Sequence, residues 1–258
     1  MANIPEINVA PESIFQIGEY SVSNALISSL ITILILFVVL VGLKARLKIV
    51  PGRFQVFMEG LVTFFYDNLV DAYGSEARAK KYLPLIVGIF VFLLIANQFT
   101  MIPFAQSIVV EGAGNLFRNP TSHLALPLAL ALIVFFVSHI VAFTTSPLRH
   151  IGNFIKLHLF LKVRSFKDLA NALLENFLSI LDIVGEIAKV VSLACRLFGN
   201  VFAGEVMVVV IAGLSIYTQY FIPMPFYVLS IFSGLIQALV FAILALAFIT
   251  GMAKSVEN

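Results

Sequence analysis

Three uninterrupted apolar stretches constrain the fold of this 258-residue chain more than any other feature. They cover residues 25–43, 83–104 and 124–143. A helix that crosses the ~30 Å hydrocarbon layer of a bilayer needs about 20 such residues, because its backbone polar groups must all be hydrogen-bonded internally. The composition, 60% hydrophobic and 12% charged, is unlike that of soluble domains. We therefore predict an all-α, polytopic membrane protein.

The positions of Lys and Arg predict how the chain is oriented, because cytoplasmic loops carry an excess of these residues. Basic residues cluster after the first apolar stretch, before the second and after the third, whereas the first 24 residues have none. With the N-terminus outside and the C-terminus inside, thirteen of the sixteen Lys and Arg residues lie inside. Arg118 then lies outside, and Lys189 and Arg196 fall within the membrane.

Residues 53–74 have the pattern of an amphipathic helix. Apolar residues recur there at near-helical spacing, with Glu59, Asp67 and Asp71 at other positions. A helix of this kind lies in the plane of the membrane interface. We expect it on the inner interface, with a re-entrant hairpin as the alternative.

The last part of the chain predicts two long helices. Residues 165–217 contain no proline and follow a helical pattern throughout. At 1.5 Å per residue, some fifty residues make a rod about 75 Å long, more than twice the hydrocarbon thickness. The rod either breaks, near Gly199 or Gly204, or crosses the bilayer at a steep tilt. A proline-containing turn at Pro223 then precedes a returning helix over residues 226–252.

These elements predict one membrane domain, residues 1–258, with about five membrane-embedded helices and an inner-interface amphipathic helix. The last two membrane-embedded helices are the long, strongly tilted ones. We divide the domain into an outer N-terminal segment, the first three spans with the interfacial helix, and the tilted helix pair, over residues 1–24, 25–164 and 165–258.

Charged residues inside the penultimate helix carry the functional prediction. An ionised side chain in the membrane costs about 2.5–3.5 kcal/mol on insertion scales, so such residues usually face a partner or water. Asp182, Lys189 and Arg196 recur every seven residues and share one stripe, with Asn200 on its flank. Glu205 lies nine residues beyond Arg196, about 180° around the helix, so the two address different environments.

Arg196 is too far from either end of its helix to extend to the membrane surface. Direct pairing with Asp182 or Glu186 spans several turns and is also excluded. A fixed cation with no carboxylate at hand implies that the counter-charge comes from another subunit or a substrate.

Neutral polar residues on two other helices are weaker candidates. Ser230, Ser233, Gly234 and Gln237 share one face of the last helix. Close helix packing accounts for Ser233 and Gly234, whereas the Gln237 amide can serve both an arginine and a water chain. For Asn97 and Thr100 on the second span, hydrogen bonding between helices and a channel role are equally open. His139 is interpreted as a structural histidine, with a proton relay as the alternative.

The sequence has no Cys/His cluster, phosphate-binding loop or catalytic triad. We therefore expect no metal, no cofactor, no direct nucleotide binding and no nucleic-acid partner. The single cysteine, Cys195, has apolar neighbours and is expected to be a packed thiol.

Four segments resemble subunit a of F-type ATP synthases: SLACRLFGNVFAGE, GLIQALVFAILALAFI, LIANQFTMIPF and PTSHLALPLALAL. The resemblance implies a stator subunit that is not an enzyme on its own and that faces a rotating ring of c subunits, beside peripheral-stalk b subunits and lipid. It makes Arg196 the essential arginine that separates two aqueous half-channels. It also assigns six residues to the outer half-channel and two to the inner one: Asn97, Thr100, Asn200, Glu205, Ser230 and Gln237 outside, Asp182 and Lys189 inside.

Two positions depart from the family pattern. Ser230 stands where many relatives have histidine or glutamate, and Thr100 where some have an acid. The outer half-channel is therefore expected to depend on Glu205 and water. The surroundings of Glu205 look more bacterial or plastid-like than mitochondrial, so we expect a bacterial inner membrane.

Two other functions compete with this one. A self-contained secondary transporter or channel would also use Arg196 as a gate, but it is expected to show inverted repeats, and none are found. A passive membrane anchor would keep its activity when Arg196 is replaced by alanine.

Overall fold

The computed structural model describes residues 13–17, 20–99, 109–110, 114–115, 118–154, 166–213 and 222–257. Helices dominate these ranges, and two short antiparallel hairpins and one 3₁₀ turn join them. In chain order the elements are β1 (Ser13–Ile17), β2 (Tyr20–Ser23), α1 (Asn24–Arg46), α2 (Arg53–Tyr73), α3 (Glu76–Phe99), β3 (Val109–Val110), β4 (Gly114–Asn115), the 3₁₀ turn (Pro120–Ser122), α4 (Ala125–Thr145), α5 (Pro147–Phe154), α6 (Phe166–Gly213) and α7 (Pro223–Glu257).

Four helices in the described part of the chain are long and apolar enough to cross a membrane: α1, α3, α4 and α7. The first three coincide with the three apolar stretches of the sequence. The prediction of an all-α polytopic membrane protein is therefore confirmed. The hairpins β1–β2 and β3–β4 were not predicted, and they lie before α1 and between α3 and α4.

Helix α2 is continuous over 21 residues and buries one face, Phe65, Leu69 and Tyr73, against α3. It ends at Gly74, whose φ of 63° is a left-handed conformation that glycine adopts without strain. Since a re-entrant hairpin needs an interruption that α2 lacks, that alternative is wrong.

Helix α6 is unbroken over 48 residues, so of the two alternatives the break at Gly199 or Gly204 is wrong. It is about 72 Å long at 1.5 Å per residue, which leaves a steep tilt as the way to fit it to a bilayer. Helix α7 begins at Pro223, earlier than predicted. Proline is accepted in a first helical turn because the N–H that it lacks has no partner there anyway.

The core lies where α3, α4, α6 and α7 meet, and α7 is at its centre. Alanines at 238, 242 and 245 on α7 are fully buried. Small residues let helix backbones approach closely, which is how helices associate where lipid removes the hydrophobic driving force. The seam of α6 that packs into this core includes Leu193 and Leu197, both nearly inaccessible. The opposite side of α6 is exposed.

Candidate functional site

A polar cavity of about 150 Å³ lies between α3, α6, α7 and the segment around the 3₁₀ turn. Asn97, Asn200 and Ser230 line it, so the structure brings together three residues that the sequence predicted. Its other lining residues are Asn119, Val201, Ala203, Gly204, Met207, Leu229, Ser233 and Gly234. The cavity is large enough for several waters, each of which needs polar partners of this kind.

Hydrogen bonds between neighbouring elements fix the Asn97 and Asn200 side-chain amides in the wall of this cavity. Asn97 Nδ2 donates to the Gly234 carbonyl (3.1 Å), and Asn97 Oδ1 accepts from Thr121 Oγ1 (2.8 Å). Ser233 Oγ donates to Asn200 Oδ1 (2.8 Å). These bonds fix the amide orientations, so the cavity wall is organised before water or a proton enters.

Two glycines on α6 and α7 allow the helices to approach at the cavity. A Cβ at Gly234 would lie 3.1 Å from Asn97 Cβ, and one at Gly204 would lie 3.1 Å from Ser230 Oγ. Both distances are shorter than almost all real Cβ contacts, so the neighbours would have to move. The interpretation of Gly234 as a close-packing residue agrees with this geometry.

The 3₁₀ turn contributes residues that the sequence interpretation missed. Asn119 Oδ1 accepts from the backbone N–H of Thr121 (3.0 Å), which caps the turn, and lies 2.7 Å from the Thr121 hydroxyl, whose one proton it shares with Asn97 Oδ1. Asn119 Nδ2 is buried and has no hydrogen-bond partner among the described atoms. The available signal was the Asn119-Pro120 pair, which favours turn initiation, but nothing in it indicates a site.

Glu205 follows Gly204 on α6 and interacts with the 3₁₀ turn. Its carboxyl group forms hydrogen bonds to the Asn119 backbone and the Ser122 side chain and lies in the field of Arg118. One oxygen, Oε1, is buried without a hydrogen-bond partner among the described residues. Leaving a buried acceptor unpaired is costly, so this oxygen is a natural position for a water or a proton.

The structure does not bring all predicted outer residues together. Gln237 is buried on α7 but is not part of the cavity lining, and its Nε2 has no hydrogen-bond partner in the described part of the protein. Thr100 lies outside the described residues.

Asp182, Lys189 and Arg196 lie on the exposed side of α6. Lys189 forms an ion pair with Glu186, three residues earlier, and lies 5.7 Å from the centre of the Phe248 ring. Lys189 and Arg196 line one open groove of about 260 Å³ between α6 and α7. Glu186 was not among the predicted site residues, although its i, i+3 spacing to Lys189 permits this pair.

The guanidinium of Arg196 is exposed and makes no ion pair with any residue that the structure describes. The adjacent Cys195 is also exposed, so its interpretation as a packed thiol is wrong. Its neighbours Ala194 and Leu197 are buried in the seam of α6, so Cys195 lies on the other, exposed side of the helix. Across the described ranges, no group of three His, Cys, Asp or Glu side chains is arranged to hold a metal ion.

The similarity of this sequence to known proteins covers nearly the whole chain. A family model described as ATP synthase A chain matches residues 25–250. The chain belongs to the ATP synthase A chain family. A member of this family is a membrane subunit of ATP synthase and is not an enzyme on its own.

Bacterial relatives of the family match over most of their length. ATP synthase subunit a 2 of Bradyrhizobium sp. is 31% identical over 249 residues, 95% of each chain. ATP synthase subunit a of Moorella thermoacetica is 31% identical over 242 residues, 94% of this chain and 96% of the relative. That of Geotalea daltonii is 29% identical over 222 residues, 86% and 83% of the two chains.

Replacement of Gly234 by leucine is expected to destabilise the helix packing around the cavity. The new side chain would push Asn97 away and break its bond to the Gly234 carbonyl, and overpacking of this kind costs about 1–3 kcal/mol. The thermal unfolding midpoint of the purified protein should fall. Gly251→Ala is the matched control on α7, because a Cβ there meets no atom within 4 Å. An unchanged midpoint for Gly234→Leu would contradict the close contact.

Proposed function

We propose that this chain is the proton-translocating stator subunit of an F-type ATP synthase. In this role it forms two aqueous half-channels beside a c-ring, and Arg196 separates them. The observation that carries the proposal is the geometry of α6. Its Arg196 guanidinium is exposed and makes no ion pair with a described residue, and one to two turns further on α6 lines a polar cavity next to Glu205. A self-contained transporter would have to supply the counter-charge of Arg196 itself, and the described residues do not.

Arg196 acts on a carboxyl group of the c-ring. A cation about 4 Å from a carboxylate stabilises the ionised form by about 4 kcal/mol at an effective dielectric constant of 20. The proton therefore leaves when the ring carboxyl reaches Arg196. Past Arg196 the carboxyl must be reprotonated before it enters lipid, where a bare charge is costly.

The outer half-channel runs through the polar cavity to Glu205. Asn97, Asn200 and Ser230 line its wall. Glu205 is not part of that lining but follows the lining residue Gly204, and its carboxyl, with Oε1 buried, is the proton-carrying group. Thr100 and Gln237 complete the proposed outer set, with Gln237 accompanying Arg196. Because Ser230 does not titrate, Glu205 works here with water.

The inner half-channel lies at the Asp182 end of the exposed stripe. Lys189 shares a groove with Arg196 and forms an ion pair with Glu186. Asp182 is exposed, so it is available to water on this side.

The orientation that fits this function has the N-terminus outside and the C-terminus inside, in a bacterial inner membrane. The division of the chain into an outer segment, three spans with the interfacial helix, and a tilted helix pair fits this orientation, with residues 165–258 facing the c-ring. The large apolar residues of α1, among them Leu30, Leu34 and Phe37, are exposed, which suits contact with lipid and with the b subunits.

Cysteine crosslinking tests the ring-facing side of α6. In a Cys195→Ser background, Asp182→Cys is expected to crosslink to a c subunit that carries a cysteine next to its membrane carboxyl. Leu34→Cys on α1 is the control. Leu34 is also on an exposed helix surface (61% exposed), but its helix packs against α3. Crosslinking from position 34 and none from position 182 would contradict the proposal.

A further inference from the structure

A cluster of titratable side chains joins α4, α5 and α6 on the side of the molecule away from the polar cavity. The ring centres of His139 on α4 and His150 on α5 are 5.3 Å apart. His150 is only 8% exposed. Two imidazoles in contact at the buried end of a helix hairpin are more than packing requires, because an aromatic or aliphatic pair would fill the space without the desolvation of ring nitrogens.

The hydrogen bonds of His139 define its basic nitrogen. Nδ1 lies 3.0 Å from the Phe135 carbonyl oxygen and 3.4 Å from Ser138 Oγ. A carbonyl oxygen only accepts, so the neutral ring carries its proton on Nδ1, and Nε2 is the nitrogen that can take one up. The ring can therefore take up a proton at Nε2 and release that proton again.

The cluster continues towards α6. Ser138, Glu186 and Lys189 line one small cavity of about 10 Å³, close to the volume that one water needs. Glu186 also acts electrostatically on His150. The next groove along α6 is lined by Lys189, Ser192 and Arg196. Two adjoining spaces that share Lys189 therefore connect Ser138 on α4 with Arg196 on α6.

The surroundings of His150 lower its pKa, which favours a neutral ring that can take part in proton transfer. Burial of the ring, followed by the neighbouring His139, lowers the pKa of His150, and the Glu186 carboxylate partly opposes this. The charged groups that face the cluster are Glu186, which acts on His150, and Lys189, which is paired with Glu186; Arg149 precedes His150 on α5. A lowered pKa leaves the imidazole neutral at pH 7, so it can accept a proton and pass it on.

We propose that His150, His139 and Glu186 form a proton relay that connects the inner aqueous side to the groove at Lys189 and Arg196, through the interior of the helix bundle. The proposal rests on the function proposed above. It makes the route between α4, α5 and α6 the main proton path on the inner side, with the exposed stripe along Asp182 carrying only a small share. Each step moves one proton: it passes from the groove to Glu186, crosses a water in the small cavity at Ser138 to the His139–His150 pair, and is released from that pair to water.

The test measures passive proton flux through membranes that carry the assembled complex stripped of its water-soluble ATPase part. His139→Phe and His150→Phe keep the aromatic contact but remove the titratable nitrogens. Each is expected to lower flux by about 100-fold, the lower end of the effect of a lost acid–base group. In His150→Ala, added imidazole should restore flux, which a purely structural role of His150 does not predict.

Controls separate the relay from folding and from the function itself. Thr144→Val makes a polar-to-apolar change on the same end of α4 and is expected to leave flux unchanged. Glu186→Gln keeps size and gives a second test if a histidine variant does not assemble. Wild-type flux in both Phe variants, with uncoupling in Arg196→Ala, would overturn the relay and leave the function standing. Coupled transport in Arg196→Ala would overturn the function.

Discussion

Arg196→Ala is expected to abolish ATP-driven proton pumping and ATP synthesis in the assembled complex, while passive proton conduction persists. Without the guanidinium, nothing lowers the pKa of the arriving ring carboxyl, so it keeps its proton. Nothing then separates the two half-channels either, so protons can pass without rotation. Pumping would be followed with a pH-sensitive dye in inverted vesicles, and conduction with an imposed potential across stripped vesicles.

A conservative variant and a control accompany Arg196→Ala. Arg196→Lys keeps a cation but loses the planar, delocalised charge, and it is expected to pump at a small fraction of the wild-type rate. Lys254→Ala removes an exposed cation near the end of α7 and should leave pumping intact. Coupled pumping in Arg196→Ala would sink the mechanism.

Glu205→Gln is expected to cause the second largest loss, a fall of about 100-fold or more in passive proton flux. Glutamine keeps the size and most hydrogen bonds of the side chain but cannot carry a proton. Since Ser230 beside it does not titrate, the cavity offers no second acid to replace it. Flux through stripped vesicles measures the effect directly.

The matched control for Glu205→Gln is Glu59→Gln. Glu59 is an exposed residue of α2 that accepts a hydrogen bond from Gln55, so the same change there tests charge loss alone. Glu205→Asp should retain part of the flux, because the carboxyl remains but moves back by one methylene. Normal flux in Glu205→Gln would show that water in the cavity conducts without an acid.

The spans were predictable because bilayer thickness fixes the length of an apolar segment. The continuity of α6 was not, because a glycine lowers helix stability by only about 1 kcal/mol, and packing along α6 outweighs that at Gly199 and Gly204. The exposure of Cys195 was also missed. In lipid, an outward-facing residue is as apolar as a buried one, so composition does not distinguish the two sides of a helix.

Arg196 and Glu205 could be proposed as site residues from the sequence because each is a charge in an apolar helix. The site was not predictable at Asn119 and Ser122, because a turn has no periodicity and its side chains acquire a role only when α6 packs against it. Glu186 was overlooked for a similar reason, since its partners on α4 and α5 are distant in sequence.

In the proposed mechanism, the unbroken course of α6 also keeps the two half-channels electrically separate. Arg196 and Glu205 are nine residues apart, about 13.5 Å along the axis and half a turn round it. A hinge between them would let thermal bending change the distance between Arg196 and Glu205, and protons could then leak directly between the half-channels. A continuous hydrogen-bonded helix holds the two side chains at a constant spacing. In the proposed mechanism, protons therefore cross only when the c-ring carries them.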